Sequence, residues 1–465
     1  MRCLCVASLA VLAVLGTAPA ARAATVLRGI DDVPLPGLAT TARDQHLHEI
    51  RSELRASVLR LDCLWPLAEP ARGQYSDADD SGYLSGLEAT VSSAHTLGLE
   101  VIVTMCYVPQ WASDSAYWDD PPPGYSNGYQ RFYPMAAGAL TDYEAFAEHL
   151  ATTLKGEVLG YEAFDEPNLW PYIYPQRTVA DPWFAAREYL KYLKAFGAGI
   201  RAGDPAARVI AGSTAPTGTN DVYRTAPQTF AAELKALGAG PWFDVYSHHP
   251  YVPGGTGDMD PGLPPQFPAH TVALSNIATL LKIFPSKPFY LTEYGFSTEP
   301  SLTFGPAVSE SEQAAYLTKA YALAARHAQI KLLVWYPLQD DSPTGKSTSP
   351  LGCYLGLRRV SGTAKPAWFA FARGNHVTLV APSHARRRAR ILLRGRYTCA
   401  SIGGVPGRRL LIERRIGSGG WRVVRAVTTG AGGAYAVRVT LGTTERLRVV
   451  FAGVATSRQR LVVAR

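Results

Sequence analysis

Cysteine and charge are both scarce in this 465-residue chain, which holds six Cys and only 18% charged residues against 47% hydrophobic ones. So few cysteines exclude a small disulfide-stapled scaffold, and none of their spacings matches a metal-ligand pattern. Low charge beside ample apolar and aromatic content excludes the disordered and collagen-like classes. Beyond residue 23 no stretch approaches the roughly 20 apolar residues that a membrane helix needs, so no membrane span is expected. Lysine is missing altogether from residues 376–465, where the only acids are Glu413 and Glu445. No nucleic-acid motif accompanies the arginines there, so nucleic acid is not an expected partner.

What is present begins with an export leader. Arg2 supplies a positive start, Leu4 to Leu15 an apolar core, and Ala21-Arg22-Ala23 a small-residue cleavage site. A leader over residues 1–23 implies a secreted, extracellular protein whose mature chain starts at Ala24. It would remove Cys3 and Cys5. Cys63 and Cys106 follow neighbouring predicted strands at similar height, as either a bridge or two buried thiols.

From residue 24 to 375 short β-branched runs alternate with longer stretches of helical spacing, the grammar of a parallel sheet wrapped by helices. Eight strands are predicted: Val26–Asp31, Val58–Asp62, Glu100–Met105, Val158–Phe164, Val209–Gly212, Phe243–Ser247, Pro288–Thr292 and Lys331–Trp335. Helices are predicted over Gly82–Leu97, Asp142–Lys155, Trp183–Ala202, Ala226–Leu237, His270–Phe284, Glu310–His327 and Pro366–Phe371. Gly98 and Gly203 suit helix stops, and Asp142 or Ser309 suits a helix start. Eight such units close naturally into an α/β (β/α)8 TIM barrel.

Residues 376–465 read differently, with short runs such as Arg408–Arg415, Trp421–Thr428, Ala434–Thr440 and Arg446–Phe451 between glycine-rich turns. The pattern resembles the small all-β immunoglobulin-like sandwich modules appended to many secreted enzymes. Eighteen Arg against two Glu give this segment a formal charge of +16, so with +8 for the whole chain residues 1–375 carry −8. Such a basic domain suits an acidic cell-wall or capsular polymer, or is simply a solvated strand face.

Two places carry chemistry. In Tyr161-Glu-Ala-Phe-Asp165-Glu166-Pro167-Asn168 an apolar strand runs into an acid followed by proline, and in Tyr290-Leu-Thr292-Glu293-Tyr294-Gly295 a strand runs into an acid closed by glycine. Barrels carry their reactive groups at the C-terminal ends of strands. Two carboxyl groups at that mouth suit glycosidic-bond cleavage, where one protonates the leaving oxygen and the other attacks the sugar or activates water. A lone Glu-Pro is commonplace; the pairing of Glu166 with Glu293 makes the case.

These motifs resemble clan A of the glycoside hydrolases, whose acid/base follows strand four in an Asn-Glu-Pro motif and whose nucleophile ends strand seven. Trp65-Pro-Leu-Ala-Glu-Pro70 and Pro109-Gln-Trp111 look like segments of families 39 and 5. The resemblance covers about residues 25–372. It implies Glu166 as acid/base and Glu293 as nucleophile of a retaining double displacement, a carbohydrate substrate, and no metal or organic cofactor. It further implies that Arg60 holds the nucleophile ionised, that Tyr251 of His249-Pro-Tyr251 hydrogen-bonds it, and that Trp335 floors a sugar subsite. His248 competes with His249 for the site-facing place.

Asp165 departs from the clan's asparagine. An ionised Asp only accepts hydrogen bonds, which would reverse the direction at the sugar hydroxyl it meets, and its charge would disfavour ionisation of Glu166. Among ten aromatic residues after strands two to four, Trp111 and Trp170 are the candidates for sugar stacking. The loops Ser113–Met135 and Tyr251–Pro268 decide between an open groove for endo action and a blind pocket for exo action. Rival readings are a carbohydrate-binding pseudoenzyme and an envelope glycan-adhesion protein, both without turnover.

Overall fold

The computed structural model describes residues 26–77, 82–119, 121–122, 127–253, 258–300, 305–341, 354–400 and 402–465. The expected leader and Cys353 lie outside the described residues. Eight parallel strands close into a barrel in chain order: β1 Leu27–Asp31, β2 Val58–Leu64, β3 Glu100–Cys106, β4 Gly160–Glu162, β5 Arg208–Thr214, β6 Val245–His248, β7 Phe289–Leu291 and β8 Ile330–Trp335. The barrel closes where β8 pairs with β1, Leu27 beside Leu332. Gly29 permits that seam, since a Cβ there would lie 2.7 Å from Val334.

The strand period of two positions the site. Val58, Ile102, Ile210, Val245, Tyr290 and Leu332 form one apolar cluster that fills the barrel's interior. Two residues further along four of those strands stand Arg60, Thr104, Ser247 and Thr292, and Glu162 stands two beyond Gly160 on β4. All five are buried. An apolar plug thus carries a polar layer toward the strand ends.

Most helices follow the expected spacing: Tyr83–Thr96, Ala139–Thr153, Phe184–Gly203, Pro227–Ala236, Glu310–Ala324 and Pro366–Ala372. Ser309 caps its helix, accepting from the Glu312 amide while Glu312 reaches back. Gly98 takes the left-handed conformation of a helix stop. Gly203 instead ends a helix at a close crossing, where a Cβ would lie 2.6 Å from the Glu148 carbonyl oxygen. Asp142 lies in the first turn of its helix rather than at its cap.

One helix expectation fails, and one helix was not expected. The helix over His270–Phe284 shrinks to a 3-10 turn at Leu274–Asn276 and one turn at Ala278–Leu281. The Asn276 side chain accepts from the Ala273 amide and donates to the Thr271 carbonyl, which substitutes for helical bonds. Conversely, Thr40–His48 forms a helix that the sequence conceals, because Leu47 is its single buried residue.

The C-terminal region is a β-sandwich. One sheet runs β10 (His384–Ala385), β18 (Arg460–Ala464), β16 (Glu445–Phe451), β13 (Arg409–Arg415) and β14 (Arg422–Thr428), with β17 (Ala455–Thr456) on β16. The other runs β12 (Gly403–Gly404), β11 (Arg390–Cys399) and β15 (Ala434–Thr440), with β9 (Asn375–Val377) on β11. Sequence patterning does not single out β11, whose apolar side is interrupted by Gly395 and whose other side is rich in arginine. The sandwich core joins the barrel's: Phe369 meets Tyr397 and Phe451 at ring separations of 6.0 and 5.9 Å, and Arg408 lies 4.6 Å above Phe369. Cys63 and Cys106 are buried free thiols, so no Cys63–Cys106 bridge forms.

Candidate active site

Arg60 organises the polar layer. Fully buried, it donates from Nη1 to Asp31 at 2.6 Å and Glu293 at 2.8 Å, from Nη2 to Asp165 at 2.8 Å and from Nε to Glu162 at 3.1 Å. Burial alone would weaken its charge, but Glu162, Asp31 and Glu293 outweigh that and hold its pKa above the ordinary arginine value. Glu162 also accepts from Thr104 at 2.8 Å and Thr292 at 3.0 Å. Burial would raise it too, yet Arg60, His249 and the hydroxyls leave it below the usual carboxylate range.

Glu166 reaches the site by an unexpected route. Strand β4 stops at Glu162, and the chain then turns through positive φ at Phe164 (134°) and Glu166 (35°). Pro167 therefore does not terminate a strand at Glu166; the Glu166 amide is fixed by the Ser213 carbonyl at 3.1 Å. Ser213 (φ 44°) and Tyr107 (φ 64°) share the left-handed conformation, so four strained non-glycine residues gather at this rim. Such clustering is common at functional sites. Glu293 follows β7 at two residues' distance, its Oε2 accepting from the Tyr251 hydroxyl at 3.0 Å.

His249 joins the two acids. Its Nδ1 lies 3.1 Å from Glu166 Oε1 and 3.6 Å from Glu293 Oε2, and its Nε2 lies 3.1 Å from Ser213 Oγ. Burial opposes its charge, but Glu293, Glu166 and Asp165 push its pKa up to about 9. His248 faces away, held between Thr214 and the Val272 carbonyl, and burial lowers it to about 3. Its ring is therefore neutral and structural.

Four other carboxyl groups move upward. Burial raises Glu166, Asp165 and Asp31, and it carries Asp62 to about 7 against the pull of Arg60. Six carboxyl groups share two cations, Arg60 and His249, so their full ionisation together is disfavoured. Asp165 Oδ1 accepts from Arg60 and from Ser213 Oγ at 3.2 Å, inside the protein network. Glu162, Asp165 and His249 stand close enough to hold an ion, but Arg60 already donates to both carboxylates.

The barrel is built like those of family 39 and family 5 glycoside hydrolases. Neither a family model nor a curated protein matches the chain. Among solved structures it is similar to a family 39 glycoside hydrolase from Bacteroides cellulosilyticus WH2, at 18% identity and TM-score 0.52, over 91% of this chain and 80% of that one. A GH5_18 enzyme from Bifidobacterium longum subsp. infantis gives 16% identity and TM-score 0.55 over 75% and 77%. A GH39 β-xylosidase from Caulobacter crescentus gives 19% and 0.50 over 86% and 83%. The shared fold is the barrel expected from the clan A resemblance.

Within that barrel the structure gathers Arg60, Asp165, Glu166, His249, Tyr251 and Glu293 into one hydrogen-bonded group. The tryptophans are placed otherwise. Trp335 is fully buried, its indole N–H bound to the Leu355 carbonyl at 2.9 Å and its ring packed by Tyr294 and Phe296, so no face is open for a sugar floor. Trp111 packs edge-on to Trp65 and donates to the Glu69 carbonyl. Trp170 packs edge-on to Phe132 within an aromatic cluster that includes Tyr107 and Tyr174. Half-buried Tyr107 and Tyr172 stack at 5.5 Å, and burial, with Asp165 and Glu166 adding to it, raises the Tyr172 pKa. Asp31, Asp62, Glu162, Thr104, Thr292 and Ser213 join the group without having been singled out by motif. For Thr104, Glu162 and Thr292 the signal was alternation, since each stands on the inward side of its strand.

Proposed function

We propose that the chain is a secreted retaining glycoside hydrolase acting on an oligo- or polysaccharide. One observation carries the reading: Glu166 Oε1 and Glu293 Oε2 lie within 3.1 and 3.6 Å of a single atom, His249 Nδ1, and so at most 6.7 Å from each other. Retaining enzymes separate their carboxyl groups by about 5–5.5 Å, whereas inverting ones need about 6.5–9.5 Å to admit a water. Two carboxyl oxygens this near one another meet the requirement of the closer pairing.

In the proposed double displacement Glu166 protonates the leaving oxygen while Glu293 bonds to the anomeric carbon. Glu166, now a carboxylate, then takes a proton from water, and that water displaces Glu293. Burial, with Asp165 adding to it, raises the Glu166 pKa, the direction that favours the acid form the first step requires. Arg60 and Tyr251 donate to separate oxygens of Glu293, which orients it for attack. The leader in residues 1–23 supports export.

The test is Glu293→Gln assayed on chromogenic glycosides, beginning with the β-xylosides named for the Caulobacter crescentus neighbour. The variant should fold and lose at least ~100-fold in turnover, since covalent catalysis has no substitute. Unchanged turnover would remove the basis of the reading.

A further inference from the structure

The two acids of the C-terminal sandwich are both spent in one sheet. Glu413 pairs with Arg448 at 2.6 Å and Glu445 with Arg414 at 2.8 Å, while Arg448 and Arg415 flank Trp421 at 4.2 and 5.1 Å. The opposite sheet has no such compensation. Along β11 alternation buries Ile391, Leu393 and Tyr397 and sends Arg390, Arg394 and Arg396 outward; along β15 it buries Tyr435, Val437 and Val439 and exposes Ala434, Ala436, Arg438 and Thr440. Register sets Arg394 beside Ala436, Arg396 beside Ala434 and Arg438 beside Leu392. No acid stands on this face. None of the four arginines has an ion-pair partner among the described residues.

A strand rise of roughly 3.3 Å per residue puts Arg394 and Arg396 about 7 Å apart and Arg390 about 13 Å from Arg394, in one line. Like charges at such spacing repel one another, and a line of anions running along the strand would relieve that repulsion. The guanidinium fork suits carboxylates through paired hydrogen bonds. Single-stranded nucleic acid needs aromatic faces on which bases stack, and this surface offers arginine, alanine, threonine and leucine only. The barrel's acidic mouth, with six carboxyl groups against Arg60 and His249, would repel the same polymer.

We infer that the exposed face of the β11–β15 sheet binds an extended, carboxylate-bearing polysaccharide and anchors the enzyme to a matrix distinct from the glycan in its barrel. The choice of a glycan rests on the glycoside hydrolase reading. The partner is recognised by charge and by spacing along the strand, and the small side chains of β15 leave it room to lie flat.

The experiment compares the full chain with a fourfold variant, Arg390→Thr, Arg394→Thr, Arg396→Thr and Arg438→Thr. A charge-matched comparator carries Arg409→Thr, Arg422→Thr, Arg425→Thr and Arg446→Thr on the other sheet. Binding to immobilised polygalacturonate should weaken at least ~10-fold in the first, near 1.4 kcal/mol, and by less than ~3-fold in the comparator, with melting temperatures unchanged. If the fourfold variant fails to fold, the pair Arg394→Thr with Arg396→Thr reads the same contrast. Equal losses in both variants, no polygalacturonate binding by the unaltered chain, or equally tight binding of single-stranded DNA would overturn the inference. Turnover of a small glycoside, measured on the same preparations, separates failure of the anchor from failure of the catalytic reading.

Discussion

His249 Nδ1 lies 3.1 Å from Glu166 Oε1, in a site where the ring is charged at neutral pH. Burial raises Glu166, and the hydrogen bond and charge of His249 pull it back. Removing the ring in His249→Gln should therefore raise the Glu166 pKa further. The proposed first step needs protonated Glu166, so the basic limb of the kcat/KM profile should move to higher pH. A limb that stays in place or moves down would separate Glu166 from the proton transfer.

Asp165 acts on the same group with the opposite sign. It adds to the rise in Glu166, so Asp165→Asn should lower the Glu166 pKa and move the basic limb to lower pH. Arg60 loses a charged acceptor in that variant but keeps Asp31, Glu162 and Glu293. Opposite displacements of one limb by two neighbours would distinguish electrostatic tuning from general disruption of the site.

Stability should carry the His249 signature as well. Its folded pKa of about 9 exceeds the ordinary value of 6.5, so the stabilisation is full below pH 6.5 and is lost as pH rises toward 9. The raised carboxyl groups change stability in the same direction. A shift of that size corresponds to about 3 kcal/mol. Denaturant titrations at pH 6 and pH 9.5 should show a smaller pH-dependent loss in His249→Gln than in the unaltered chain.

Arg60 is the single cation that four carboxyl groups, three of them buried, share by direct hydrogen bonds. Arg60→Met leaves those groups uncompensated and should cost roughly 3–5 kcal/mol near neutral pH, as broken buried ion pairs do. Protonating the carboxyl groups relieves the repulsion, so the deficit should shrink as pH falls toward 4. Arg60→Lys should rescue only in part, because a point charge cannot serve four acceptors in fixed directions. Denaturation midpoints of the three proteins across pH 4–8 measure this.

Much of the architecture was legible because the barrel strands are apolar runs with clear ends, and Glu166 and Glu293 stood out as acids where such runs stop. Less legible were features set by tertiary contact. Leu47 alone marks the helix Thr40–His48, and Asn276 unmakes a helix whose spacing looks regular. Glu162 looks like one acid among many until the barrel closes and brings Thr104, Thr292 and Arg60 around it. Trp335 illustrates the reverse error: its place at the end of β8 suggests a sugar platform, but its faces are already taken by Tyr294 and Phe296.

The boundary near residue 375 looks severable in sequence, where composition and charge change together, but the packing says otherwise. Phe369 on the last barrel helix is met by Tyr397 and Phe451 of the sandwich and by the Arg408 guanidinium, and Gly453 lies against the helix at Glu310–Ala324, where a Cβ would fall 2.2 Å from the Ser311 carbonyl oxygen. Arg28 on β1 donates to the Phe371 carbonyl, so the last helix that carries this contact is tied to the first strand of the barrel. Ending the chain at residue 375 strips those aromatic partners and exposes rings that each contribute about 1.5–3 kcal/mol by burial. The truncated chain should therefore aggregate or melt well below the full chain, while Phe451→Ala in the full chain should show the same defect in weaker form. Size-exclusion chromatography and thermal melts of the two check this, and a monomeric, fully active chain ending at 375 would show the sandwich to be a detachable module.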